Sequence, residues 1–263
     1  METNDVIFLS DLNLAESHRE FARWHQSSEI VEANDLLITA GADVFPAANF
    51  VMRIGPTPIP AADEMLEQIS IFYKERGRSF SVYVRRHIDS DLAAACEARE
   101  MVKISSPPGM CLDAPLPDRP IDDAITLRVV EDERGAADFA DVAVASFKTL
   151  GLPEECGRKM FAMPARMIKP HIIAVVAYHQ DKPVSTALAL MSHGIAGIYW
   201  VGTKETHRKQ GLAEICTRMA GNKAFAGGAA RVILQASHMG EPVYRRMGYR
   251  EVTKYSWYMW FNK

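Results

Sequence analysis

Between residues 172 and 203 three apolar runs follow one another with little more than turn residues between them: IIAVVAY (172–178), VSTALALM (184–191) and IAGIYWVGT (195–203). None approaches the roughly 20 residues needed to cross a bilayer as a helix. Their Val, Ile and Tyr content and the turn at Gln180–Pro183 make them successive strands, the first two a hairpin. The next stretch, LAEICTRMA, sets Leu212, Ile215, Cys216 and Met219 at i, i+3, i+4, i+7 spacing, the apolar stripe of a helix able to cover such strands. A sheet with a helix returning across it restricts the chain to a layered α/β fold.

The flanking segments extend that pattern. ITLRVV (125–130) alternates like a strand, ERGAADFADVAVASF is helical, RVILQAS (231–237) is a buried strand, EPVYRRMGY is a short helix ending at Gly248, and YREVTKYSWYMW makes a final pair of strand segments. The order is β-α-β-β-β-α-β-α-β, a mixed α/β (α+β) domain. Before it, the periodicity predicts helices near 13–26 and 61–76, strands near 50–54 and 79–84, a helix over about 90–99, and short strands at MVKI and GMCLD. The last five of these elements repeat the order of the second half, which points to a distant internal duplication. The stretch SSPPGMCLDAPLPDRPIDD (105–123) crowds five prolines together, and its later part reads as a linker. We therefore divide the chain near residue 120, into domains 1–120 and 121–263.

Composition removes several function classes. With 263 residues, 48% of them hydrophobic, the chain has material for one large domain or two ordinary ones. A net charge of -3 gives no general attraction for nucleic acid or an acidic membrane surface. The start, METNDVIFLS, lacks a basic leader region, so a cytoplasmic location is expected. Four scattered cysteines without a CxxC pair, and eight histidines without HExxH, predict no metal and no disulfide framework. Neither GxxxxGK[ST] nor GxGxxG occurs, so the two commonest nucleotide-phosphate loops are missing.

An anion site is nevertheless legible. In HRKQGLAEICTRMA (207–220), three basic residues stand where the helix dipole is already positive. Either the run is a solvated basic loop or an anion belongs there. Gly211 permits close backbone approach, and the free N–H groups of the first turn, with Arg208 and Lys209 beside them, form a phosphate-sized receptor.

The run Arg208-Lys209-Gln210-Gly211-Leu212-Ala213 resembles the R/Q-x-x-G-x-G/A loop of the GCN5-related N-acetyltransferase (GNAT) superfamily, with Ala213 in the place of the last glycine. PVYRRMGYRE is similar to that family's Y-x-x-x-G-[FY] close, and the resemblance extends over residues 125–260. It implies a GNAT fold there and a degenerate GNAT-like copy in the first half, two domains in tandem. It implies acetyl-CoA as co-substrate, its pyrophosphate held by the amides of Lys209, Gln210, Gly211, Leu212 and Ala213. Arg208 and Lys209 would add steering charge. Val201, Gly202 and Thr203 would present backbone groups to the pantetheine arm and thioester, with the small Gly202 leaving room for a longer acyl group. Ser237 would bind CoA or water.

By the same resemblance, Tyr244 is the general acid that protonates the departing thiolate, while a backbone N–H of strand 201–203 stabilises the oxyanion. No base is evident: Glu154, Glu155, His193, Glu205 or a water chain could serve. The first half has Pro56, Pro58 and Pro60 in its corresponding loop, and proline has no N–H to offer. It should not bind CoA in this way and would instead form one wall of the acceptor cleft. Cys96, near its expected tyrosine, reads as a small buried residue. The activity implied is N-acetylation of a primary amine, on a small molecule in preference to a protein, by a monomer or homodimer without a metal, nucleic-acid or membrane partner. The competing class is a non-catalytic acyl-CoA-binding module, which has no need of a phenol at Tyr244.

Overall fold

A computed structural model of the chain describes residues 2–57 and 60–262. The first half runs α1 (Thr3–Arg23), β1 (Glu29–Ala33), β2 (Leu36–Ala40), β3 (Asn49–Arg53), α2 (Ala62–Glu75), β4 (Phe80–Arg85), α3 (Ser90–Ala98), β5 (Val102–Ser105) and β6 (Pro108–Leu112). The second runs β7 (Ile125–Val129), α4 (Glu133–Lys148), α5 (Glu154–Met160), β8 (Ile172–His179), β9 (Lys182–Ser192), β10 (Ile195–Thr203), α6 (Leu212–Ala226), β11 (Val232–Gln235), α7 (Glu241–Arg246) and β12 (Arg250–Trp260). Three hairpins turn on paired left-handed residues, Asn34–Asp35, Gln180–Asp181 and His193–Gly194, the conformation that matches the twist of the flanking strands. Helix α4 opens on Asp132, whose carboxylate accepts from the Gly135 N–H at 2.7 Å.

Among the described residues twelve strands form one sheet, in the order β1-β2-β3-β4-β12-β6-β11-β10-β9-β8-β7, with β5 also on β12. The same plan appears twice. Antiparallel β1-β2-β3 leads to a parallel β3–β4 pair, and antiparallel β8-β9-β10 leads to a parallel β10–β11 pair. A parallel pair needs a crossover, and α2 and α6 supply it. The duplication expected from element order is therefore present in strand direction as well.

The sheet does not part at residue 120. Strand β6, from the first half, lies between β11 and β12: Cys111 is opposite both Ile233 and Arg250. Residues 250–254 of β12 pair with β6, whereas Tyr255–Trp260 pair with β4. The tail expected as two strand segments is one 11-residue strand, about 36 Å long, that belongs to both halves. Strands β1 and β2 and helix α5 were not expected from the sequence, and α1 begins ten residues earlier than the helix anticipated at 13–26. Glu29 and Glu32 interrupt any apolar alternation in β1, which is an exposed edge.

Helix α1 braces the two halves from one face of the sheet. Val6 packs with Cys111, Ile195 and Ile233, Leu14 with Leu37, Phe50 and Tyr255, and Trp24 with Phe161. Helix α4 shares that face, with Phe139 and Ala143 against Val176 and Leu188. Helix α6 covers the opposite face, with Ile215 and Cys216 over Val175, Ala177 and Ala187. No helix among the described residues is long and apolar enough to cross a membrane.

Candidate active site

Strand β10 has neighbours on both sides only as far as Ile198, where Ala196–Ile198 pair with Val232–Leu234. Beyond that rung β10 continues on β9 to Thr203 while β11 ends at Gln235. The Tyr199–Thr203 edge on the β11 side thus has no strand partner among the described residues. A bulge causes the divergence: between Tyr199 and Gly202 β10 carries one residue more than β9, taken up at Trp200 with φ 50°. The Thr186 hydroxyl donates to the Trp200 carbonyl at 3.0 Å and the Ser185 hydroxyl to that of Gly202 at 2.8 Å, holding the bulged strand. Gly202 faces α4, and a Cβ there would lie 2.5 Å from the Ser146 Cβ. The space expected beside Gly202 for a longer acyl group is therefore filled by Ser146; the glycine serves the close approach of α4.

From Thr203 the chain makes a short 3-10 turn, Glu205–His207, and enters α6 through Gly211 at φ 77°. Lys209 is also left-handed, φ 62°, which costs a non-glycine residue about 1 kcal/mol and is retained where the surroundings dictate it. No described residue accepts a hydrogen bond from the consecutive N–H groups of Lys209 through Glu214. Gly211 has no side chain to cover them, and Lys209 and Gln210 are exposed while Leu212 is buried and Ala213 half-buried. Arg208 also has a structural part. Its Nε donates to the Thr203 carbonyl at 3.2 Å and its Nη2 to the Thr149 hydroxyl at 2.6 Å, bracing the loop on the end of α4.

Tyr244 lies on α7, buried edge-on against Tyr249 with ring centroids 5.7 Å apart. Gly240 makes room for it, since a Cβ there would come within 2.8 Å of the Tyr244 ring. Burial pushes the phenol up to about 12, with the Thr217 hydroxyl acting in the opposite direction. Ser237 is exposed, and its hydroxyl accepts from the Gly240 N–H at 3.2 Å in the turn before α7.

Of the four side chains considered as a base, none is buried in this cleft. Glu154 is held by Lys148, at the end of α4, at 3.0 Å and by Arg158 at 2.9 Å, and Glu155 by Lys159 at 2.8 Å along α5. Glu205 is exposed. His193 sits in the turn before β10, so that roughly 26 Å of strand separates it from Thr203.

In the first half the parallel rungs end at Met52 and Tyr83, and the next positions carry Arg53 and, two residues beyond Tyr83, Arg85, both almost fully buried. Arg53 donates to both oxygens of Asp91 at 2.8 Å and to the Pro60 carbonyl at 2.6 Å. Arg85 grips Asp89 at 2.8 and 3.0 Å and the Gly55 carbonyl at 2.8 Å. The loop thus turns carbonyl oxygens toward two internal cations, the reverse of the N–H groups at 209–214. Pro58 lies outside the described residues. Cys96 is buried, its thiol pushed up to about 12 by desolvation.

One part of the site had no signal in the side-chain pattern. The segment read as a linker lies against α6, where Leu116 exchanges two 2.8 Å bonds with the Asn222 side chain and Arg218 donates to the Pro117 carbonyl at 2.6 Å. It meets those α6 side chains with its own backbone groups, which leave no periodicity in sequence. Arg119 pairs with Glu214 at 2.7 Å. A cleft of about 310 Å³ lies between this strap, the start of β7 and Gln210, Gly211 and Leu212.

No family model matches the chain, and no curated protein does. Solved structures do. A GCN5-related N-acetyltransferase from Kribbella flavida superposes over 97% of this chain and 96% of its own, with a TM-score of 0.74 at 22% identity. One from Sphaerobacter thermophilus covers 89% of this chain and 75% of its own, TM-score 0.63 at 16% identity. A tandem GNAT protein from the clavulanic acid biosynthesis pathway covers 86% and 78%, TM-score 0.57 at 12% identity. The chain has the GNAT fold, and it has it in tandem.

Proposed function

We propose that the chain transfers an acetyl group from acetyl-CoA to a primary amine, on a small molecule in preference to a protein. The observation that carries this reading is the run of N–H groups around left-handed Gly211, placed directly beyond a strand edge, both without a partner among the described residues. An anion at a helix start and an extended amide-bearing arm along a strand edge are what these two features accept. Lys209–Ala213 would hold the pyrophosphate of the co-substrate, and the backbone of Val201, Gly202 and Thr203 its arm. Arg208 positions the loop through Thr203 and Thr149, and Ser237 lies at the open end of β11. When bound, acetyl-CoA supplies an activated thioester. Tyr244, its phenol pushed up to about 12 by burial, keeps its proton at neutral pH and is the acid available to a departing thiolate. The first half, whose own cleft is filled by Arg53 and Arg85, would wall the acceptor side. The likeness to proteins described as acetyltransferases supports the same reading.

Incubation with acetyl-CoA and a library of amines, following release of free thiol, tests it. Thiol release that depends on one class of amine is expected, with Gly211→Glu losing both CoA binding in calorimetry and turnover. CoA binding without thiol release from any amine would make the chain a binding module instead.

A further inference from the structure

The geometry points to Arg119, carried on the strap that joins the two halves, as a phosphate-binding residue of the cofactor site, so that a bound nucleotide pyrophosphate clamps the strap onto α6. This rests on the reading of the loop as an acetyl-CoA site.

Position comes first. The guanidinium of Arg119 stands over Gly211, with Nη1 3.9 Å and Nη2 4.0 Å from where a Cβ of that residue would be. It therefore faces the one loop position that has no side chain, beside the unpaired N–H groups. Half of the side chain is exposed, with its Nη1 on Glu214, which leaves other donors of the fork free for an anion. The strap is fixed immediately upstream by the Leu116–Asn222 pair and the Pro117–Arg218 bond, so Arg119 is delivered to this place and not merely tethered near it. Arg119, Gln210, Gly211 and Leu212 line one cleft together.

Charge points the same way. Glu214, in the first turn of α6, sets a carboxylate 2.7 Å from Arg119 and 3.0 Å from Arg218, and Asp122 of the strap lines the cleft that Arg119 shares with Gly211. Without Arg119 the strap would offer this cleft only Pro120, Ile121 and the acidic Asp122. With it, a cation stands beside the loop at Gly211. A charge-assisted bond to a phosphate oxygen, partly withdrawn from water, is among the stronger single contacts a protein makes.

Calorimetric titration of the full chain with CoA decides the matter. Arg119→Gln is expected to weaken CoA binding at least tenfold with an unchanged melting temperature, because the residue is half exposed and fills no core. Arg119→Gln combined with Glu214→Gln separates contact from neutralisation: a direct phosphate ligand predicts that the double variant stays as weak as the single one. Wild-type affinity in Arg119→Gln overturns the proposal, and so does recovery of wild-type affinity in the double variant, which would leave Arg119 only a shield for Glu214. If the wild-type chain itself binds no CoA, the reading of the loop falls first and this one with it.

Discussion

Tyr244 and His18 show how burial sets the chemistry of single residues. Burial raises the Tyr244 phenol further above an ordinary value that already leaves it protonated near neutral pH. Tyr244→Phe is therefore expected to lower acetyl-transfer turnover by about 10- to 100-fold while leaving CoA affinity within a factor of about two. Steady-state rates beside calorimetry check it, and unchanged turnover would remove Tyr244 from the chemistry. His18 stacks on Phe50, ring centroids 3.3 Å apart, and burial lowers its pKa to about 3. An unfolded histidine takes its proton near 6.5, so below that pH the unfolded chain binds a proton the folded chain refuses. Stability should fall as pH drops from about 6.5 toward 3. His18→Phe, which keeps an aromatic ring on Phe50, should flatten that part of the melting-temperature profile; a variant as acid-sensitive as the wild type would place the titration elsewhere.

At the scale of elements, the site is a consequence of one bulge. The extra residue at Trp200 turns β10 away from β11, and Gly202 lets the bent strand settle on α4. Gly202→Ala places a methyl 2.5 Å from the Ser146 Cβ, an overpacking that costs about 1–3 kcal/mol in an ordinary core. Removing the obstruction with Ser146→Gly should recover most of the lost melting temperature, since both close contacts, Cβ and Oγ, belong to that side chain. Failure of the pair to recover would show that the strain comes from the β10 backbone. At the corresponding crossover in the first half, Arg53 and Arg85 bridge the strand ends with Asp89 and Asp91.

At the scale of the whole molecule the halves are interleaved through β6 and β12. Residues 121–263 alone would lack β6, leaving β11 without a neighbour on that side, and would expose the Tyr255–Trp260 part of β12, including buried Tyr255 and Tyr258. That fragment is expected to be insoluble or to unfold without a cooperative transition, whereas adding residues 1–120 back in the same chain gives one sharp transition. A fragment that melts as sharply as the full chain would show that the exchange is dispensable. Of all this the sequence by itself determined the apolar runs of β8, β9 and β10, the stripe of α6, the glycine and basic residues ahead of it, and the repeated element order. Those are local: period, spacing and the special conformation of Gly211 are written in neighbouring residues. Only the tertiary structure decided that Arg208 braces the loop, that Ser146 fills the space at Gly202, that the linker is a strap carrying Arg119, and that β12 serves both halves. Each depends on groups far apart in sequence, many of them backbone carbonyls and amides common to every residue, so no pattern of side chains could announce them.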